Sequence, residues 1–361
     1  MKITQAALAD GREILFFSLP GNDVRPVPDV RPLSPRPTVA QSEVRRDRQT
    51  GDWIAIAALR QDRTYKPPAD QCPLCPSPRG DSSEVPAADY DVVVFENRFP
   101  SLSHAGPAAE PLDPESDSGP GVGRCEVICF SSNHTTSFFE LSHQHARLVV
   151  DVWRQRTETL LAMPGIEQVF CFENRGEEIG VTLSHPHGQI YGYPYLTPRT
   201  TSMLRQARTF AENNDGANLF EDILAREIQD GVRVIASNGQ FTAFVPFAAR
   251  WPVEVHIYPN RHVHNLTDLT EPELDGLTDV YLDVLGRFDR MYPTPLPYIS
   301  ALHQYRPDRG QQDGYFHIEL MSVRRSATKL KFLAGSESAM DAFITDVTPE
   351  QMADRLKELR K

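Results

Sequence analysis

The segment His185-Pro186-His187-Gly188-Gln189 carries the densest reactive chemistry in the chain. On a strand, alternate side chains share a face, so His185, His187 and Gln189 are expected to point the same way. A neutral imidazole with one ring nitrogen free and the other held as a donor is a competent nucleophile. Its ordinary pKa, about 6.5, leaves it neutral at pH 7. Attack on an α-phosphorus gives a phosphoramidate, labile enough to pass a nucleotidyl group to a second phosphate. Gly188 lets a phosphate approach the backbone. Gln189 is placed to hold a non-bridging oxygen where charge builds. His187 is therefore the expected nucleophile and Gln189 its catalytic partner. Alone, two histidines at this spacing would read as well as a metal pair or as nothing special; Pro186, Gly188 and Gln189 make the nucleophile reading specific.

Cys72-Pro73-Leu74-Cys75 supplies two thiolates at knuckle spacing, and no second such pair exists to close a four-cysteine site. Histidine is the usual completing ligand. Cys72, Cys75, His134 and His185 together make a closed, structural zinc site that would fix the backbone carrying His187. His303, His317 and Glu319 form a second group of metal-capable types, with a polar lining as the plain alternative. Arg60, Arg63, Arg98 and Lys331 are candidate phosphate-holding cations. His104, His143, His145, His256, His262 and His264 carry no such pattern, and His143 and His145 are expected exposed on a helix.

Residues 1–41 are crowded with proline and read as an extended arm. Strands are expected at 53–57, 91–95, 126–130, 168–172, 241–247 and 253–258. Residues 101–124 read as a long loop. Apolar spacing from Ala146 to Leu161 predicts a helix over 140–163, and a second helical region runs through 201–229. Thr270 with Glu273 is a capping box opening another helix. Thr348-Pro349 opens the last one. Glu126 to His134 aligns without a gap on Glu254 to His262, an offset of 128 that also places Leu141-Ser142 on Leu269-Thr270. The chain therefore reads as a duplication. His185-x-His187 has its counterpart in His317-x-Glu319, so only the first copy keeps the nucleophile.

The 361 residues suit two domains, and 37 Lys+Arg against 49 Asp+Glu give a net charge of −12. That balance argues against general nucleic-acid binding, which needs a basic footprint. No signal-peptide core follows Met1-Lys2, and no stretch approaches the roughly 20 apolar residues of a membrane span. A cytoplasmic chain is expected. Its odd count of five cysteines fits metal or core roles better than a disulfide frame. Cys125, Cys129 and Cys171 read as core fillers.

Thr50 to Ile54, Cys72 to Cys75, Val94 to Pro100, Val127 to Ser131 with His134, Phe172 to Gly176, His185 to Ile190, and Arg325 to Thr328 through Gly335 and Glu337 resemble galactose-1-phosphate uridylyltransferase, of the histidine-triad superfamily. The resemblance spans roughly 44–358. It implies an α+β fold of tandem histidine-triad (HIT-like) domains, each an antiparallel sheet with packed helices. The divisions expected are the arm 1–41, an N-terminal domain 42–200 with the zinc site and nucleophile, and a C-terminal domain 201–361 with a hexose-phosphate-binding segment. It implies a homodimer that transfers a uridylyl group from UDP-glucose to galactose 1-phosphate through uridylyl-His187, releasing glucose 1-phosphate and UDP-galactose. By position, Arg60, Arg63, Asn97, Asn174, Thr182 and Gln189 are implied nucleotide and phosphate contacts. Lys331, Phe332 and Glu337 are implied hexose-phosphate contacts, donated across the dimer in the family. The alternative is a related nucleotidyltransferase or nucleoside-polyphosphate phosphorylase with another sugar phosphate or nucleotide. Departures fall at Thr201 to Arg205, which lacks the carboxylate of the family's second metal site (iron or zinc), and at Glu319, where a histidine is usual. Ser336 and Phe343 depart on the sugar side.

Overall fold

A computed structural model describes residues 1–37, 40–62, 66–103, 112–113 and 116–360. In chain order the first elements are β1 (Lys2–Ala7), β2 (Glu13–Ser18), β3 (Glu43–Arg46), β4 (Trp53–Ile56), β5 (Val92–Glu96), β6 (Ser118–Pro120), β7 (Arg124–Cys129), α1 (His143–Leu161), β8 (Gln168–Arg175), β9 (His187–Tyr193) and α2 (Pro198–Asn213). They are followed by α3 (Leu219–Asp230), β10 (Val234–Ser237), β11 (Phe241–Phe244), β12 (Val253–Pro259), α4 (Glu271–Arg290), β13 (Tyr298–His303), β14 (His317–Ser322), α5 (Gly335–Met340) and α6 (Pro349–Glu358). The chain divides into two compact units. Unit 1 is Met1–Cys171 with Thr182–Met203, and unit 2 is Phe172–Val181 with Leu204–Lys361. Residues 172–181 thus group with the second unit, where the sequence placed them in the first.

Unit 1 holds an antiparallel sheet in the order β1-β2-β5-β7-β9 and a small one, β4-β3-β6. The extended-arm reading fails for its first eighteen residues, which form the β1–β2 hairpin, with β2 paired to β5. Ile14 to Phe17 are buried there, so this strand is core and no appendage. Residues 101–124 likewise contain the short strand β6.

α1 is capped by the Ser142 side chain, which accepts from the His145 amide, and its buried stripe covers one face of this sheet. Phe138 and Phe130 pack on Trp153 at its centre. Arg156 of α1 donates to Glu126 at 2.7 and 2.9 Å, so Glu126 marks the helix-facing side of β7. Its neighbours Val127 and Cys129 take the other face, opposite Gln189 and His187 respectively. The sheet thus spends one face on the helix and offers the other to chemistry.

Unit 2 repeats the plan with β13-β14-β12-β11-β10, antiparallel, and α4. The Thr270–Glu273 capping box forms as expected, with the Thr270 amide and hydroxyl each donating to Glu273 Oε2 at 2.8 Å. The helical region 201–229 is broken between α2 and α3, where Asp215 and Gly216 take left-handed φ of 53° and 82°. The helices of the two units match at the offset of 128, Trp153 on Tyr281 and Leu160 on Phe288. The strands do not. Tyr281 donates to Ser300, which lies opposite Leu320, itself opposite Val255. Val255 therefore faces the helix and Glu254 faces away, so the gap-free alignment joined residues on opposite faces. With His187 on Glu319, strand pairing sets Cys129 on His256, one residue short of that offset. A one-residue slip flips every side chain, which is why the alignment misled.

Candidate functional site

β9 opens at His187, so His185 lies in the turn before it and does not share a strand face with His187 as expected. The two rings have separate tasks. His187 Nδ1 lies 2.8 Å from the His185 carbonyl oxygen. A carbonyl only accepts, so Nδ1 carries the proton and Nε2 keeps its lone pair. Burial holds the His187 pKa below the ordinary value, opposed by that carbonyl bond. The ring is neutral at pH 7, in the nucleophilic form.

His187 lines a cavity of about 260 Å³ together with Arg60, Asn97, Arg98, Thr182 and Gln189. Leu74, Phe95, Phe99, Val127 and Leu183 supply its apolar walls. Two amides are oriented by their acceptor ends. Gln189 Oε1 accepts from the Tyr191 hydroxyl at 2.8 Å, and Asn97 Oδ1 accepts from the Phe99 amide at 2.9 Å. Each NH₂ group is thereby left to donate to a ligand oxygen. Arg60 is positioned by a 3.1 Å bond to the Phe99 carbonyl. Arg63 falls outside the described residues. Asn174, on β8, is not among the lining residues.

Cys72, Cys75, His134 and His185 converge as the spacing suggested, with one ligand atom each, all within 4.8 Å. Cys75 Sγ lies 3.3 Å from His134 Nδ1 and 3.5 Å from His185 Nδ1. Zinc bonds of about 2.3 Å to sulfur and 2.0–2.1 Å to nitrogen set tetrahedral S···N edges of about 3.6 Å, so the spacing fits. The outer partners fit as well. His185 Nε2 donates to the Ser131 carbonyl at 2.8 Å and sits 2.9 Å from the Tyr90 hydroxyl, which leaves Nδ1 for the metal. His134 Nε2 is 3.1 Å from Ser184 Oγ. Burial pushes His185 down to about 4, keeping it in the neutral ligand form. Burial and the neighbouring Cys72 push the Cys75 thiol up to about 12, a cost that a bound cation reverses.

In unit 2, His303, His317 and Glu319 also converge, all buried. His303 Nε2 lies 3.3 Å and His317 Nε2 3.7 Å from the Glu319 carboxylate, which burial pushes up but His303 and His256 above all, with His317, hold well below the ordinary carboxylate range. Sequence reasoning missed His256, which pairs across the sheet with Glu319 and stands 3.7 Å from it. The alternation Glu254, His256, Tyr258 on β12 was the available signal. Lys331 and Glu337 bond each other at 2.9 Å, and Lys331 also donates to the Ile344 carbonyl. Phe332 is 76% exposed. None of these three lines the His187 cavity. His145, expected exposed, is half-buried, its Nε2 3.0 Å from the Asp91 carbonyl. Cys125, Cys129 and Cys171 are fully buried in the core, as read.

Comparison with known proteins gives the family. The family model described as galactose-1-phosphate uridyl transferase, N-terminal domain, matches residues 31–197, and its C-terminal counterpart matches 203–361. A galactose-1-phosphate uridylyltransferase of Streptomyces lividans is 46% identical over 99% of this chain and 98% of its own. One from Thermotoga maritima is 33% identical over 88% of this chain and 98% of its own. A solved uridylyltransferase structure superposes with a TM-score of 0.76 at 29% identity, covering 88% of this chain and 98% of that one. The chain belongs to the galactose-1-phosphate uridyl transferase family.

Proposed function

We propose that the chain transfers a uridylyl group from UDP-glucose to galactose 1-phosphate by double displacement on His187. The observation that carries this is the His187 Nδ1–His185 carbonyl bond, which leaves Nε2 as a lone pair facing a cavity lined by Arg60, Asn97, Thr182 and Gln189. Nε2 attacks the α-phosphorus, a P–N bond forms, and the bond to the β-phosphate oxygen breaks, releasing glucose 1-phosphate. A phosphate oxygen of galactose 1-phosphate then attacks the same phosphorus and the P–N bond breaks. UDP-galactose leaves and Nε2 recovers its lone pair. Nδ1 keeps its proton throughout, and the His185 carbonyl stabilises the positive charge the ring gains. Gln189, Arg60 and Asn97 donate to the non-bridging oxygens.

Zinc held by Cys72, Cys75, His134 and His185 is structural in this reading: it fixes His185, and so the carbonyl that orients His187. His303, His317 and Glu319 are the corresponding candidate in unit 2. The enzyme works as a cytoplasmic homodimer, with Lys331, Phe332 and Glu337 contributing to hexose-phosphate binding in the partner subunit; the exposure of Phe332 supports this. No helix among the described residues is long and apolar enough to cross a membrane.

The test is a panel of sugar 1-phosphates offered with UDP-glucose. Galactose 1-phosphate should be the preferred acceptor. Transfer only to another sugar phosphate would keep the His187 chemistry and reject galactose, and the departures at Ser336 and Phe343 make this the arm to watch.

A further inference from the structure

Among the described residues before Ser42, Arg31 reaches the His187 cavity. The backbone before it is tied to the loop that follows Cys75, with the Val27 amide bonded to the Pro86 carbonyl at 2.8 Å and the Val30 amide to the Gly80 carbonyl at 2.9 Å. Arg31 meets Glu84, another lining residue, and both side chains are more than nine-tenths buried, 9% and 8% exposed. Buried charges of this kind at a cavity wall need a reason.

Their hydrogen bonds point to one. Arg31 Nε donates to Asp29 Oδ1 at 2.8 Å, and Nη2 donates to Asp29 Oδ2 at 2.8 Å and to Glu84 Oε2 at 3.3 Å. Nη1 makes only an ion-pair contact, 2.9 Å from Glu84 Oε1. Among the described residues, at least one Nη1 proton therefore remains to donate. Glu84 Oε2 also accepts from Arg12 Nη2, while Oε1 has the Arg31 contact and Arg98 Nη1 at 3.9 Å. Oε1 thus keeps accepting capacity. The wall presents a fixed donor beside a fixed acceptor.

We infer that Arg31 and Glu84 select the nucleotide base, Glu84 Oε1 accepting the N3–H of uracil and Arg31 Nη1 donating to its O4 carbonyl oxygen. This rests on the proposed uridylyl transfer. Uracil presents acceptor, donor, acceptor along its edge, which complements the pair. Cytosine presents an amino group at C4 and a lone pair at N3, so both contacts become like against like. Leu74, Phe95 and Val127 offer apolar surface to the ring faces.

The experiment compares single-turnover nucleotidylation of His187 by UDP-glucose and by CDP-glucose, using the zinc-loaded chain. A bidentate donor–acceptor pair discriminates between bases by about 10- to 100-fold. The wild-type chain should prefer UDP-glucose by at least that factor, and Glu84→Gln and Arg31→Met should each narrow the ratio about tenfold or more. If Glu84→Gln, which also loosens Arg12, gives no folded chain, Arg31→Met alone decides. Equal loss of both rates with an unchanged ratio, or no preference in the wild type, overturns the inference while leaving uridylyl transfer standing. No label from either nucleotide sugar overturns the proposed function itself, and this inference with it.

Discussion

Gln189 offers the sharpest graded perturbation of the site. It stands two residues beyond His187 on the same strand face, and the Tyr191 hydroxyl holds its Oε1 at 2.8 Å. The amide NH₂ is therefore aimed without reorganisation. Removing one such donor with Gln189→Ala should slow uridylylation about 10²–10³-fold. Tyr191→Phe keeps the amide and loses its tether, worth about 1 kcal/mol, or about fivefold, together with the hydroxyl's contact to Arg60. Gln189→Glu substitutes a carboxylate, which at about 4 Å and an effective dielectric of about 20 repels a phosphate charge by roughly 4 kcal/mol, about a further 10³-fold. Burial pushes the Tyr191 hydroxyl up to about 12, so the tether is protonated throughout the working range. Single-turnover release of glucose 1-phosphate, measured at pH 7.5 without acceptor, reads all three. The order expected is Tyr191→Phe mildest, then Gln189→Ala, then Gln189→Glu. Gln189→Ala within threefold of wild type would refute the donor role.

Three further outcomes follow from the same structure. Elemental analysis should find about one zinc per chain, lost in Cys72→Ser; an unchanged ratio refutes the ligand set, and a second equivalent in the wild type would show that the cluster at Glu319 is loaded. Burial lifts the Glu173 carboxyl to about 7 against the pull of its Tyr298 bond and Arg175. A raised carboxyl contributes its full stability below about 4.5 and loses it as pH climbs through 7, so Glu173→Gln should melt like wild type near pH 4.5 and be more stable by about 3 kcal/mol above pH 7. Equal melting temperatures at pH 8 would contradict that. Gly80 has φ +69°, and an added Cβ would meet the Pro28 carbonyl oxygen at 2.0 Å. Gly80→Ala should therefore cost about 1–3 kcal/mol and speed proteolysis of the segment before Ser42; unchanged cleavage would show that the segment is not anchored there.

The candidate site in unit 1 was legible because its signals are local or chemically rare. His187, Gln189 and the group of Cys72, Cys75, His134 and His185 announced themselves by residue type and spacing, although His134 and His185 are far from Cys72 in sequence. What stayed hidden depends on pairing. The β1–β2 hairpin was masked by the prolines that follow it, and its burial comes from β5, distant in sequence. His256 acquires meaning only through its register against Glu319. The alignment of the two halves caught the helices, whose spacing tolerates little slippage, and missed the one-residue strand shift, because apolar strand residues align almost as well either way. Arg31 was invisible as a site residue, since a proline-rich segment without periodicity gives no hint of where its side chains end.

The central claim is a covalent nucleotide on His187. Chain incubated with UDP-glucose labelled in uridine, without acceptor, should hold about one acid-labile, base-stable label per chain after denaturation. Peptide mapping should place it on His187, and galactose 1-phosphate should discharge it as UDP-galactose. No retained label, or equal label in His187→Ala, would contradict the account.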